Sequence, residues 1–171
     1  NAQVALDAAS KDELLVLALE KTLMPDSAVE ELVTLLRRAI IAEVAQTVEL
    51  RDELQPLALA LAIYADRTGY ALAAEDDEEH LVATINNSIR AQLVMGEDQD
   101  GMIGSLIISA MYGSLFHQTF AVQLGRWNLV DWPLALQSVM AASYYNRAAE
   151  EAIKQDFDEK TQELCLEKTD V

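Results

Sequence analysis

The sequence predicts an all-α protein, a single domain over residues 1–171 built as a bundle of about six to seven helices around a central uncharged helix, 102–124. Three observations carry this. Ala and Leu supply 51 of the 171 residues while Gly and Pro supply only 9, a balance that favours helix over sandwich or barrel. Apolar positions recur every three or four residues, and no strand-like alternation runs beyond a few residues. Residues 102–149 hold only three charges, Arg126, Asp131 and Arg147, and seven of the ten aromatics. That stretch reads as the heart of the core, with acidic material on both sides.

The elements follow from caps and period. Ser10 with Glu13 reads as a capping box that starts a first helix, which runs to about Lys21 and stops before Pro25. Residues 1–9 and 169–171 are expected to fray. Ser27 with Glu30 repeats the box. The stripe Val29, Val33, Leu36, Ile40, Val44 and Val48 gives the second helix its buried side, so Arg37, Arg38 and Glu43 should face water. A third helix starts near Asp52 with Pro56 in its first turn, and it is apolar most of the way round. The fourth opens in the acidic run 75–79 and buries Leu81, Ile85, Ile89 and Leu93. After the polar loop 96–101 comes the uncharged helix. Asp131 and Pro133 then start a sixth, running past Tyr144 toward Phe157, with a weaker seventh to Lys168.

Composition excludes several classes. A formal charge of −17 opposes direct binding to nucleic acid, whose phosphates call for Lys and Arg. Met102 to Leu124 is long enough to cross a bilayer. However, His117, Gln118, Thr119 and Gln123 would be costly in lipid and no basic cluster flanks the segment, so a membrane role is disfavoured. A lone Cys165 forms no intrachain disulfide, and residues 1–9 lack the pattern of a signal peptide. The cytoplasm is the default expectation.

The residues offer few chemical constellations. Asp76 and Asp77 precede His80 by four and three positions, which on a helix puts both carboxylates on the histidine's face. A carboxylate and an imidazole on one face could hold a divalent metal. Acids in a first helical turn also answer the helix dipole and the free N–H groups, and that account outweighs the metal. The loop 96–101 matches a calcium loop at Asp98 and Asp100 only, with Ile107 where a bidentate Glu belongs, so a polar turn is expected. His117 has no acid in 102–126 to orient it and reads as a core histidine. No G-x-S-x-G, Walker A loop, G-x-G-x-x-G or H-E-x-x-H is present. Glu30-Glu31 and Glu150-Glu151 are poor Mg²⁺ ladders, the latter explained by pairing of Glu151 with Arg147.

His117, Arg126, Trp127, Trp132, Tyr144 and Tyr145 are the candidate ligand or partner contacts, because Trp and Tyr join a large apolar area to a polar tip. The competing account has the tryptophans pinning loop 125–131 onto the core.

The leading expectation is a non-enzymatic interaction or regulatory module whose acidic surface steers, or masks, a basic protein partner. The alternative is a small-molecule or metal-binding bundle with enzymatic activity. Ser105, Ser109 and Gly113 also give the uncharged segment a small-residue face suited to a homo-oligomer.

Overall fold

A computed structural model describes residues 2–169, with side-chain surroundings described to residue 163. The helices are α1 (Ala2–Ser10), α2 (Glu13–Lys21), α3 (Ser27–Thr47), α4 (Gln55–Arg67), α5 (Asp76–Met95), α6 (Ile103–Tyr112), α7 (Ala121–Leu124), α8 (Leu134–Met140) and α9 (Asn146–Thr169). A π-helical turn, Ala141–Tyr145, joins the last two. No strand occurs among the described residues, and the bundle is all-α as its sequence requires.

The core is centred on α4 and α6. Six consecutive α4 residues, Leu57 to Ala62, are buried, and so are six in α6, Leu106 to Met111. A helix buried on every side must be covered by neighbours on every side. Accordingly α4 packs against α1, α2, α3, α6 and α8, while α6 also meets α5. None of the helices among the described residues is long and apolar enough to cross a membrane.

The chain start differs from expectation. Residues 2–10 are helical and their Leu6 is fully buried. Arg51 ties this helix down by pairing with Asp7 at 3.0 Å and with Glu43 of α3. That cation holds both carboxyls below their ordinary range, and the two carboxylates in turn raise the guanidinium. Two caps also shift. Asp12, not Ser10, accepts from Leu15 N at 3.0 Å, and Asp26, not Ser27, accepts from Ala28 N at 2.8 Å. In each place two competent capping side chains lie close together, and the geometry selects the acid. Residues 170–171 of the expected frayed end lie outside the described residues.

The uncharged run 102–124 lies inside the bundle but is not one helix. It stops at Tyr112, where Gly113 takes extended backbone (φ −169°, ψ 161°). The chain then makes a tight turn at Leu115–His117 and a single helical turn at α7. The alternative to helix is supplied by a reciprocal serine pair. The Ser114 hydroxyl donates to the Ser143 carbonyl at 2.9 Å, and Leu115 N donates to Ser143 Oγ at 2.9 Å. Ser143 lies in the π turn, where the i→i+5 pattern interrupts the regular ladder. Two local defects therefore satisfy each other, and both serines are buried. The bend buries Leu115, Phe120 and Leu124 and turns His117 outward, so His117 is exposed and not a core histidine.

Helix α3 ends on Val48, which adopts left-handed backbone (φ +67°) although it is β-branched and exposed. Glycine carries no penalty there. Val48→Gly should raise unfolding stability by about 0.5–1 kcal/mol in urea titration; a loss of stability would show that the valine side chain contributes packing.

Candidate functional site

The six residues offered as partner contacts form one connected chain of rings. The Arg126 guanidinium lies 4.0 Å from the centre of the Trp127 ring, and its nitrogens cap α5 through Leu93 O at 3.3 Å and Glu97 O at 3.2 Å. Trp127 meets Trp132 edge-on at 5.2 Å. Trp132 Nε1 donates to the Tyr145 hydroxyl at 2.8 Å, which donates onward to Trp127 O at 2.7 Å. Tyr145 contacts Tyr144 at 4.9 Å, Tyr144 contacts Phe116 at 5.9 Å, and Phe116 contacts His117 at 5.5 Å. Only the two ends, Arg126 and His117, are exposed. Trp132 and Tyr144 are core residues, which a partner could reach only by opening the bundle. The rings fasten loop 125–131 to the π turn, and a Cβ at Gly125 would stand only 2.9 Å from the Tyr144 hydroxyl.

Asp76, Asp77 and His80 all lie on the surface of the first turns of α5. Asp77 is engaged by Arg38, with both oxygens 3.4 Å from Nη2. Among the described residues no three His, Cys, Asp or Glu side chains are placed to hold a metal ion together. The 96–101 loop is a helix stop on left-handed Gly96 followed by a short 3₁₀ turn.

A different group of residues lines an open polar hollow of about 450 Å³ between α3, α5, α6 and the 70–74 segment. Its floor is Arg37, only 4 % exposed. This corrects the expectation that Arg37 faces water. Its Nη1 donates to Leu72 O at 3.2 Å and its Nη2 to Ala73 O at 2.7 Å. Glu78, 1 % exposed, lies 3.8 Å from Nε. The Tyr112 ring covers the guanidinium at 4.4 Å and donates its hydroxyl to Glu78 Oε1 at 2.8 Å. The other Glu78 oxygen accepts from Glu75 N at 2.8 Å and closes the α5 capping box. One carboxylate thus caps a helix, neutralises a cation and fixes a phenol.

The sequence held a signal for this cluster. Arg37 follows Val33 by four residues and precedes Ile41 by four, which puts it on the buried side of α3. Arg38 takes the wet face beside it.

The rim carries backbone strain. Gly69 and Tyr70 are both left-handed, at φ +63° and +58°. Tyr70 N donates to Ala65 O at 2.8 Å, which closes the end of α4. Arg147 stands 5.8 Å from the Tyr70 ring and pairs with Asp66, Nε to Oδ1 at 3.1 Å. Arg147 therefore serves Asp66 and not Glu151. Asn86 Nδ2 donates to Gln118 Oε1 at 3.1 Å across the far wall. Burial pushes the Tyr70 phenol up to about 12, and burial with the Glu78 hydrogen bond pushes Tyr112 well above its ordinary 10.0.

Helix α9 is the other distinctive surface. It continues directly from the π turn, its Arg147 reaches Asp66 and the Tyr70 ring, and residues 152–163 are exposed throughout. Ile153 is 71 % and Phe157 68 % exposed. Around them, residues 150–163 carry six acids and two lysines.

Glu78→Gln should cost about 3–5 kcal/mol in urea unfolding, because it leaves a buried guanidinium without its counter-charge; a loss below about 1 kcal/mol would mean that the two carbonyls suffice. The tyrosines predict an alkaline limit. A phenol held above its unfolded value contributes stability that is present below pH 10 and is lost as pH rises through its folded value. Unfolding stability should therefore fall from about pH 10 upward, through about 12 for Tyr70, with absorbance at the phenolate band rising only as the chain unfolds.

No family model matches the chain, and comparison with curated proteins and with solved structures finds no match.

Proposed function

We propose that the chain is a non-enzymatic interaction module that docks a basic partner along α9. The observation that carries this reading is an apolar pair, Ile153 and Phe157, uncovered on an acidic helix. The two residues are four positions apart and so share a face. Helix α9 spans 24 residues, about 36 Å, and much of it has no tertiary cover. Uncovered helix of that kind draws little support from its own chain beyond pairs such as Asp156–Lys160 at 2.6 Å. A partner groove that took Ile153 and Phe157 would supply the missing burial, as in helix-in-groove recognition.

Charge selects the partner. Six acids against two bases give residues 150–163 a net charge of −4, so a second α9 would be repelled and a basic surface attracted. The excess of −17 over the whole chain would speed encounter with that surface. Two features favour binding over catalysis. The aromatic chain has two of its central rings in the core, and Glu78 is fully engaged by Tyr112, Glu75 and Arg37.

A labelled amphipathic Lys/Leu peptide tests the reading by fluorescence anisotropy. Binding should weaken by about tenfold or more between roughly 0.05 and 0.5 M salt, as screening shortens the field. Ile153→Ser with Phe157→Ser should weaken it by a further tenfold, about 1.4 kcal/mol, without altering the circular dichroism spectrum. Unchanged affinity in that double variant would remove α9 as the docking element.

A further inference from the structure

The hollow between α3, α5 and α6 serves no role in docking along α9, and its chemistry points elsewhere. We infer that it is a binding site for a compact organic cation of the ammonium class. Its volume, about 450 Å³, lies in the range of small-ligand sites.

Three observations define the ligand. The first is the charge balance. Arg37 is the cation in the lining; its charge is paired with Glu78 at 3.8 Å and its Nη atoms are taken by the carbonyls of Leu72 and Ala73, while Nε is buried without a hydrogen-bond partner. The other ionised group in the lining is Glu79. It is exposed, and it has no ion pair or side-chain hydrogen bond among the described residues. An entering anion would meet Glu79 with no free cation to receive it. An entering cation finds an unpaired carboxylate, inside the field of a chain of charge −17.

The second is the walls. Tyr70 and Tyr112 line the hollow together with Leu72 and Val82. Both rings already hold a guanidinium on the chain's own account, Arg37 at 4.4 Å from Tyr112 and Arg147 at 5.8 Å from Tyr70. Aromatic and aliphatic walls with one carboxylate at the rim suit a cation that carries its charge on alkyl groups.

The third is the strain. Tyr70 is held at φ +58°, where a bulky side chain is disfavoured, and it is one of the residues that line the hollow. Strained backbone persists where the surrounding structure imposes it, and such positions gather at ligand sites.

The test uses the intact chain and three isosteric probes: choline, its neutral analogue 3,3-dimethylbutanol, and the anion 3,3-dimethylbutyrate. Isothermal titration at roughly 0.15 M salt limits non-specific attraction to the acidic surface. Choline should bind, and the other two should bind at least about tenfold more weakly. Two surface variants locate the site. Glu79→Gln should weaken choline about threefold or more, and Ala83→Trp, which fills the hollow from α5, should abolish binding. Both substituted residues are exposed, so circular dichroism should match the parent chain. Equal or tighter binding of the neutral or anionic probe would overturn the cation assignment. Absence of choline binding, or binding that survives Ala83→Trp, would overturn the site itself. The Ile153→Ser and Phe157→Ser variant should bind choline as the parent does, which separates this site from the docking arm.

Discussion

A guanidinium cannot stay charged inside a protein unless the chain around it is arranged to receive it. Arg37 imposes that condition on four elements at once. It stands on α3, takes carbonyls from Leu72 and Ala73 before α5, pairs with Glu78 in the first turn of α5, and lies against Tyr112 at the end of α6. Because Glu78 also closes the α5 capping box, loss of that one carboxylate would break the cap and the ion pair together. The polar hollow is a consequence of the same arrangement. Segment 70–74 is held away from α5 by its bonds to Arg37, and the space left between them is open to solvent.

Just beyond the end of α6 the organising contact is neutral. Ser114 Oγ donates to the Ser143 carbonyl and Leu115 N donates to the Ser143 hydroxyl, two bonds between a broken helix and a π turn. Each irregularity alone would strand polar backbone in the core, at roughly 1–3 kcal/mol per group. Together they satisfy each other, and they allow the uncharged stretch to fold back so that Phe120 and Leu124 join the core. The aromatic chain from Trp127 to Phe116 then closes over that fold.

Much of this was legible in the sequence and some was not, for separable reasons. Helix period, the acidic start of α5 and the burial of the 102–149 stretch are local or compositional signals, and each appears in the fold. The end of α6 left a weaker mark. Gly113 and Ser114 are poor helix formers, but no charge signals the break, and the residue that stabilises it lies 29 positions away at Ser143. Arg37 was read by its charge when its position between Val33 and Ile41 called for burial. Trp132 and Tyr144 show the converse limit. Residue type marks them equally for an interface or a core, and only the packing places them in the core.

The distribution of charge links the interior to the surface. The central stretch of the chain is nearly free of charge, so the excess of acids must fall on the remaining segments, the start of α5 and the exposed part of α9 among them. At the start of α5 three of the acids have partners, since Glu78 is enclosed and Arg38 engages Asp77 and Glu75, while Glu79 has none among the described residues. On α9 only Lys160 answers Asp156 among the described ion pairs. Repulsion among the remaining carboxylates weakens that helix, and the exposure of Ile153 and Phe157 adds an apolar cost. In the docking proposed for α9, a basic surface with an apolar groove would relieve both penalties at once, because the acids and the pair Ile153 and Phe157 lie on the same uncovered stretch of helix.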